Sequence, residues 1–538
     1  MGYTGLCMAE DTPTQSQHKA RKGILKAAMS MSVITMVSRV LGLVREQVRA
    51  HYLGTSMGSD AFGIAFQIPN LLRRLLAEGA MSAGFIPVLS EYRAKEGDEK
   101  ALSFARNFFN LSLLLMVVVS GLGALGAGVI VSIFAWLGGE PIAPEAMQLT
   151  TDLTRWMFPY IALVSWAAVA QGILNTFKIF WVSAATAVLL NIAIIGAALM
   201  LASGMEEPAF AFAIGVLVGG VFQFGFQIPY VYRLGFRWRP DFRFSPGVKR
   251  VLVLLVPTIF GAGVYQVNVL VSQAIAWGVG NGAVSSLQYS SRLLELTLGV
   301  FAVALSTVIL PALATHVAKQ EIEAVRDTIG FSIRLTCFVC FPVTAGLWLT
   351  RHETISLLFE RGSFDTASTD MTAFALNFHI IGLTFIALTR VFVPVFYAYK
   401  DTWRPLWAAV VSMVVNIAAC YLLTPYLDQG GIALANTLSA GAHLVVLMAL
   451  MGSHIQVGVD KKTFTSILRS LVATVAMATS VFALQAYFQT ATLRGFEPLV
   501  LPYTVILITA LATFVGTCLL LRHPELVEIT SIARRRKK

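Results

Sequence analysis

Charge is scarce in this chain. Only 13% of its 538 residues are Asp, Glu, Lys or Arg, about half the ~25% of a soluble globular protein. That excludes a soluble enzyme, whose surface must be largely solvated, and a disordered chain. Cysteine is scarcer still. Cys7, Cys337, Cys340, Cys420 and Cys518 are too few and too scattered for a disulfide framework. Cys337 and Cys340 lie within an apolar run with no second pair, so they read as core packing rather than metal ligands. The histidines His379 and His443 are isolated, and no metal site is expected. Walker A and His-Glu-x-x-His patterns are missing, and the one Gly-x-Ser-x-Gly string, Gly54–Gly58, falls between two apolar runs of helical length rather than on the strand-to-helix turn a hydrolase needs. No soluble stretch is long enough to bind ATP. The expectation is therefore a protein with no catalytic residue and no cofactor, working on a gradient, a membrane potential or downhill substrate flow.

What the chain has instead is apolar length. It is 56% hydrophobic, with a mean hydropathy of +0.72. Apolar runs of helical length fall near residues 24–51, 60–90, 106–136, 150–175, 180–203, 209–232, 251–278, 284–314, 327–350, 368–398, 405–424, 431–452, 464–487 and 498–521. Each is long enough for a membrane helix of ~20 residues. None shows the alternation of a transmembrane β-strand. The fold expected is an all-α polytopic membrane protein with 14 transmembrane helices.

The net charge of +11 reports topology here, not nucleic acid. With the N-terminus inside, the outside loops hold only Arg351, Arg361 and Arg494, while the inside segments hold most of the forty Lys and Arg. Such a bias is the positive-inside signature. Both termini are expected in the cytoplasm: a tail at 1–22 and a basic one at 526–538. The run Arg534–Lys538 adds a possible contact with anionic lipid.

The chain also repeats itself. Ile86-Pro87-Val88-Leu89 with Lys95 returns as Leu310-Pro311-Ala312-Leu313 with Lys319, and Asn191-Ile192-Ala193 returns as Asn416-Ile417-Ala418. The offsets, 224 and 225 residues, agree. Residues 23–247 and 248–460 then read as two six-helix lobes in parallel repeat, and residues 461–525 as two further C-terminal helices. Parallel repeats are typical of secondary transporters, with the substrate between the halves.

Charge inside a bilayer is costly, by ~2.5–3.5 kcal/mol per residue on insertion scales, so the charged residues of the spans mark the candidate site. The first span carries Ser38, Arg39, Arg45, Glu46 and Arg49. The second carries Asp60, Asn70, Arg73, Arg74 and Glu78. The eighth carries Arg292 and Glu295. Arginine is in surplus, and its planar fork suits phosphate oxygens. A hydrated cavity between helices that binds an anion follows. The other reading is that these arginines only pair with carboxylates. Arg49, near a helix end, has a snorkelling alternative. Arg155, Arg334 and Arg390 read as snorkelling or structural, being nearer span ends. Pro69, Gly79 and Gly84 suggest a kinked second span. Spans 7, 11 and 12 hold no carboxylate, so a sodium or proton site there would need amides such as Asn268 or Asn416.

The motif Ser38-Arg39-Val40-Leu41-Gly42-x-x-Arg45-Glu46, with Asp60-Ala61-Phe62, Pro69-Asn70-Leu71-Leu72-Arg73-Arg74-x-x-Ala77-Glu78-Gly79-Ala80, Phe85-Ile86-Pro87 and Glu91-Tyr92, resembles the MurJ (MviN) family. These are bacterial lipid II flippases of the multidrug/oligosaccharidyl-lipid/polysaccharide exporter superfamily. Looser matches at Phe158-Pro159-Tyr160, Gly172–Thr176, Arg292-Leu293-x-Glu295 and Phe396–Pro405 extend the likeness across residues 24–525. The resemblance implies a V-shaped pair of lobes, with residues 461–525 making a groove for a polyprenyl tail. It implies a cationic cavity of Arg39, Arg45, Arg73 and Arg292, with Glu46 and Asp60 at acidic positions of the family. Together with the charged span residues, the expected substrate-binding set is these four arginines with Arg74 and Asn70, supported or gated by Ser38, Glu46, Asp60, Glu78 and Glu295. The substrate implied is lipid II, the undecaprenyl-pyrophosphate disaccharide-pentapeptide, flipped across the bacterial inner membrane by a monomer in contact with membrane lipids and other cell-wall synthesis proteins. One departure stands out: Thr297 and Leu298 occupy positions where many members have a proline and a small residue. An exporter of another polyprenyl-linked oligosaccharide or of a drug would share the fold without the paired arginines.

Overall fold

The computed structural model describes residues 13–72, 74, 81–300, 302–452, 460–490, 493 and 495–528. Helix dominates them, and no β-strand occurs among the described residues. The chain runs α1 (Pro13–Leu53), α2 (Met57–Leu72), α3 (Ile86–Glu96), α4 (Asp98–Leu125), α5 (Ala127–Gly138), α6 (Pro144–Met157), α7 (Pro159–Thr176), α8 (Phe180–Leu201), α9 (Ala209–Arg233) and α10 (Pro246–Val279). It continues through α11 (Ala283–Val300), α12 (Ala302–Ala318), α13 (Ile322–Leu349), α14 (Arg351–Phe359), α15 (Thr366–His379), α16 (Gly382–Ala398), α17 (Trp403–Met451), α18 (Lys461–Phe488) and α19 (Phe496–Leu520).

All fourteen apolar runs lie mostly on helix in their described residues, with turns at Gly126, Phe158 and Ile380–Ile381 dividing three of them. Among those residues, eight helices are long and apolar enough to cross a membrane, or nine if α15 and α16, bent by 44° at a short break, count as one. Hydrocarbon is the only solvent in which their packing makes sense. The apolar stretch of α4 is 33% buried and that of α18 28%, so most of it faces outward. Leu114, Leu115, Val118, Leu122 and Leu125 of α4 are all exposed, a stripe that would aggregate in water. The apolar stretch of the α6–α7 pair is instead 78% buried.

Breaks in the helices follow local chemistry. Pro69 sits within α2, which continues for only three described residues beyond it. A π-helical turn at Met81–Phe85 then leads into α3, whose Pro87 occupies the first turn, where the missing N–H costs nothing. In α17, Asp428 adopts φ 47° and ψ −133°, which separates the 405–424 run from the 431–452 run.

A buried polar knot fastens the C-terminal helices. Arg334 of α13 donates through Nε to Glu525 Oε1 at 2.7 Å and through Nη1 to Thr463 of α18 at 3.1 Å. Ser466 donates to Glu525 Oε2 at 2.7 Å, with His523 Nδ1 3.1 Å from the same carboxylate. Burial alone would raise the Glu525 pKa. The hydrogen bonds from His523, Ser466 and Arg334 outweigh it and bring the value from 4.5 down to about 2. A carboxyl depressed on folding stabilises above its unfolded pKa and loses that contribution as pH falls through the folded one. The melting temperature of the detergent-solubilised protein is therefore expected to drop as pH falls from 4.5 to about 2, and Glu525→Gln to flatten that part of the curve. Parallel curves for the two proteins would contradict this.

Candidate functional site

The site grows from α1. Helical spacing sets Arg39, Glu46 and Arg49 along one side and places Arg45 beside them. Glu46 is buried at 6% exposure and gathers three cations. It accepts from Arg45 Nη2 at 2.5 Å and from Arg292 Nη2 at 3.3 Å, and Arg49 Nη1 stands 3.6 Å from its other oxygen. Arg292 belongs to α11 and also donates to Glu295 Oε2 at 2.7 Å. One carboxylate thus ties the first half of the chain to the second.

A helix terminus holds α11 in place. Asp60, buried in α2, accepts from the backbone N–H of Gly282 at 2.7 Å and of Ser285 at 2.8 Å. These are the donors that the first turn of α11 leaves unpaired, and the carboxylate also meets the positive end of the helix dipole. Gly282 has φ +89°, and a Cβ there would lie 2.5 Å from the Thr55 carbonyl oxygen, so the approach requires glycine. Tyr289 adds a bond to the Gly54 carbonyl at 3.2 Å.

The structure assigns the arginines different duties. Arg49 does not snorkel. It is buried at 5% exposure, donates to Gln288 at 2.8 Å and to the Ser59 carbonyl at 2.8 Å, and lies 5.4 Å from the ring centres of both Phe62 and Tyr289. That makes it a brace between α1, α2 and α11. Arg45 is part-buried. Its second nitrogen donates to Asn191 Oδ1 at 3.2 Å, and Asn191 in turn donates to the Ser38 carbonyl at 3.2 Å. Ser38 therefore enters through its backbone. Arg39 makes no ion pair among the described residues. Its guanidinium lies against Gly299 of α11, in space that a Cβ would fill. Arg390 of α16 sits within electrostatic reach of Arg39, Glu295 and Tyr265.

Three arginines, Arg45, Arg49 and Arg292, thus gather on Glu46, while Arg39 lies against Gly299 on the helix that carries Glu295 and Arg390 stands within electrostatic reach of Arg39 and Glu295. Asn70 and Arg74 occupy the end of α2 and the turn after it, both partly exposed. Arg73 and Glu78 lie outside the described residues. Thr297 and Leu298 fall inside α11 without interrupting it, and Leu298 is buried. The departure at these positions leaves the helix that carries Arg292 intact.

Arg155 pairs with Asp152 at 3.0 Å on an exposed surface, and Arg334 is structural, as described above. Three functional neighbours escape a reading by charge. Asn191, Gln288 and Arg390 are two neutral amides and an arginine counted as lying near a span end. For Asn191 a signal existed, its place in the internal repeat. The matching Asn416 lies in a second buried chain, accepting from Ser272 at 2.8 Å and donating to Asn436 at 2.8 Å. Asn436 meets His379 Nε2 at 3.2 Å, and His379 Nδ1 meets Ser290 at 2.6 Å. Among the described residues no group of three or more His, Cys, Asp or Glu is placed to hold a metal ion. The surplus of guanidinium over carboxylate suits an oxyanion, and the arginine fork matches either phosphate or carboxylate oxygens in pairs.

The model of the family described as "Lipid II flippase MurJ" matches residues 49–503. A Vibrio cholerae protein named "Probable lipid II flippase MurJ" is 35% identical over 442 residues, 81% of this chain and 84% of that protein. The solved structure described as "Lipid II flippase MurJ, inward closed conformation" superposes with a TM-score of 0.75 at 24% identity, covering 91% of this chain and 98% of the other. An inward-facing multidrug resistance MATE transporter of the MOP superfamily superposes at 0.67 with 16% identity, over 79% of this chain and 98% of that one. These two structures establish the likeness of fold.

Proposed function

The chain belongs to the MurJ family, and from that premise we propose that it moves lipid II from the cytoplasmic to the outer leaflet of the bacterial plasma membrane. It is a multi-pass transporter of the MOP superfamily and not an enzyme. The observation that supports the reading best is the junction of α1 and α11, where Arg45 and Arg292 share Glu46 while Arg39 and Arg390 stand nearby.

In this proposal the chain crosses the membrane fourteen times, with both termini in the cytoplasm. Residues 23–247 and 248–460 form two lobes, and residues 461–525 form the groove that keeps the undecaprenyl tail in lipid. The headgroup enters a cavity between the lobes. Arg39, Arg45, Arg73 and Arg292, with Arg74 and Asn70, bind its pyrophosphate. Glu46 holds the arginines poised when the site is empty and competes with the phosphate for them. The competition matters, since an anion held equally tightly in both states gains nothing from the change, and one held too tightly in one state would not leave. Ser38, Asp60, Glu78 and Glu295 support these groups, and rocking of the lobes exposes the headgroup outside without making or breaking a bond. A coupling ion such as sodium, the membrane potential or downhill substrate flow supplies the energy.

Rescue of bacteria depleted of their own lipid II flippase tests the assignment. Growth is expected to return when this chain is expressed in them. A well-inserted chain that leaves the cells lysing, yet exports another polyprenyl-linked oligosaccharide or a drug, would overturn it.

A further inference from the structure

The connection between α9 and α10 carries a surface that transport does not use. Residues 236–245 have no regular structure, yet α4 pins their backbone firmly. Buried Asn110 donates to the Arg239 carbonyl at 2.7 Å. Buried Asn107 donates to the carbonyls of Asp241 at 3.2 Å and Arg243 at 2.7 Å, and it accepts from Ser245 at 2.7 Å. Phe236 anchors the strap inward, edge-on to Phe109 with ring centres 6.1 Å apart.

What the strap turns outward is unusual. Trp238 is 52% exposed, Phe242 50% and Phe244 63%. Between and beside these aromatics stand Arg237, Arg239, Arg243, Lys249 and Arg250. Asp241 is the one acidic residue of residues 236–250, and Arg243 engages it at 3.0 Å. Arg250 pairs with Glu91 at 2.8 Å. Arg239 and Lys249 have no carboxylate partner among the described residues, and Arg237 rests on the Tyr232 ring at 5.5 Å.

Depth follows from α4. Its outward apolar stripe begins at Leu114, one turn beyond Asn110, or about 6 Å along the axis at ~1.5 Å per residue. On the other side of the strap, Leu252, Val253 and Val256 of α10 are exposed as well. The strap therefore runs along the edge of the apolar belt, where aromatic rings sit at headgroup level and basic side chains meet anionic lipid. We propose that residues 237–249 form a binding site for acidic phospholipid headgroups of the leaflet they border, with Trp238, Phe242 and Phe244 seated in the interface and Arg237, Arg239 and Lys249 on the phosphates. The proposal is independent of the transported substrate.

The test uses the full chain in phosphatidylcholine nanodiscs containing brominated phosphatidylglycerol or, separately, brominated phosphatidylcholine. The difference in emission between wild type and Trp238→Phe isolates the signal of Trp238. Quenching is expected from both lipids, stronger from phosphatidylglycerol, with the preference lost at high salt. Each cationic side chain removed should cut the preference about fivefold, so the triple variant Arg237→Gln, Arg239→Gln, Lys249→Gln should quench equally with either lipid. All three side chains are exposed, and circular dichroism checks that the variant folds. Trp238 quenched by neither lipid would place the strap in water and overturn the proposal. Equal quenching by both lipids in wild type, unmoved by salt, would remove the acidic-lipid site and leave only interfacial burial.

Discussion

Replacing Glu46 with alanine will destabilise the protein by about 3–5 kcal/mol, the range for removing one partner of a buried ion pair. The reason is its position. Arg45, Arg49 and Arg292 all converge on this carboxylate, and without it three guanidiniums repel one another, with Arg49 and the Glu46 position buried and Arg292 partly open. Arg49 suffers most. It is buried, and its Nε already has no partner among the described residues. Glu46→Gln should lie between alanine and wild type, since the amide still accepts a hydrogen bond but brings no charge. Thermal unfolding in detergent reads the effect. The double variant Glu46→Ala, Arg49→Met should recover part of the loss, because it removes the most deeply buried orphan along with its partner. A melting temperature for Glu46→Ala equal to that of wild type would show that the carboxylate is not the hub.

The second large effect is expected at Asp60. Its two oxygens serve the Gly282 and Ser285 N–H groups at the start of α11. Asp60→Ala strands both donors in a buried site, at roughly 1–3 kcal/mol each, and removes the charge that faces the helix dipole. The total is about 2–6 kcal/mol, with Asp60→Asn losing roughly half because one oxygen remains. The consequence reaches the site. With its N-terminus released, α11 no longer holds Arg292 against Glu46, and transport falls along with stability. Hydrogen exchange localises the effect. Amides of residues 282–288 should exchange faster in Asp60→Ala than in wild type, while those of α18 and α19 stay protected. Unchanged exchange at 282–288 would contradict the clamp.

The sequence and the structure agree where a physical cost writes itself into residue type. Helical apolar runs are legible because every backbone group in hydrocarbon must be satisfied within its own helix. Arg39, Arg45, Glu46, Asp60 and Arg292 are legible because a charge in such a run is expensive. Partnership is less legible. Arg49 has a snorkelling alternative in sequence because it stands near a helix end, yet Gln288, Ser59 and two aromatic rings enclose it. Those partners come from other helices, and no local pattern announces them. Neutral amides carry no cost signal either, so Asn191 and Gln288 could not be found by charge. Arg390 escaped for a geometric reason. Reading 368–398 as one straight helix places it near an end, whereas the bend between α15 and α16 makes Gly382–Ala398 a separate helix with Arg390 at its middle.

Lipid II accessible at the outer surface of flippase-depleted bacteria measures the central claim most directly. Cells expressing wild type, Arg45→Ala or Arg292→Ala at matched membrane levels would be compared. Wild type should restore exposure, and each variant should lose about 10-fold to 100-fold, as removal of a charged hydrogen bond worth ~1.5–3 kcal/mol predicts. Exposure by both variants equal to wild type would contradict a cationic site at the junction of α1 and α11.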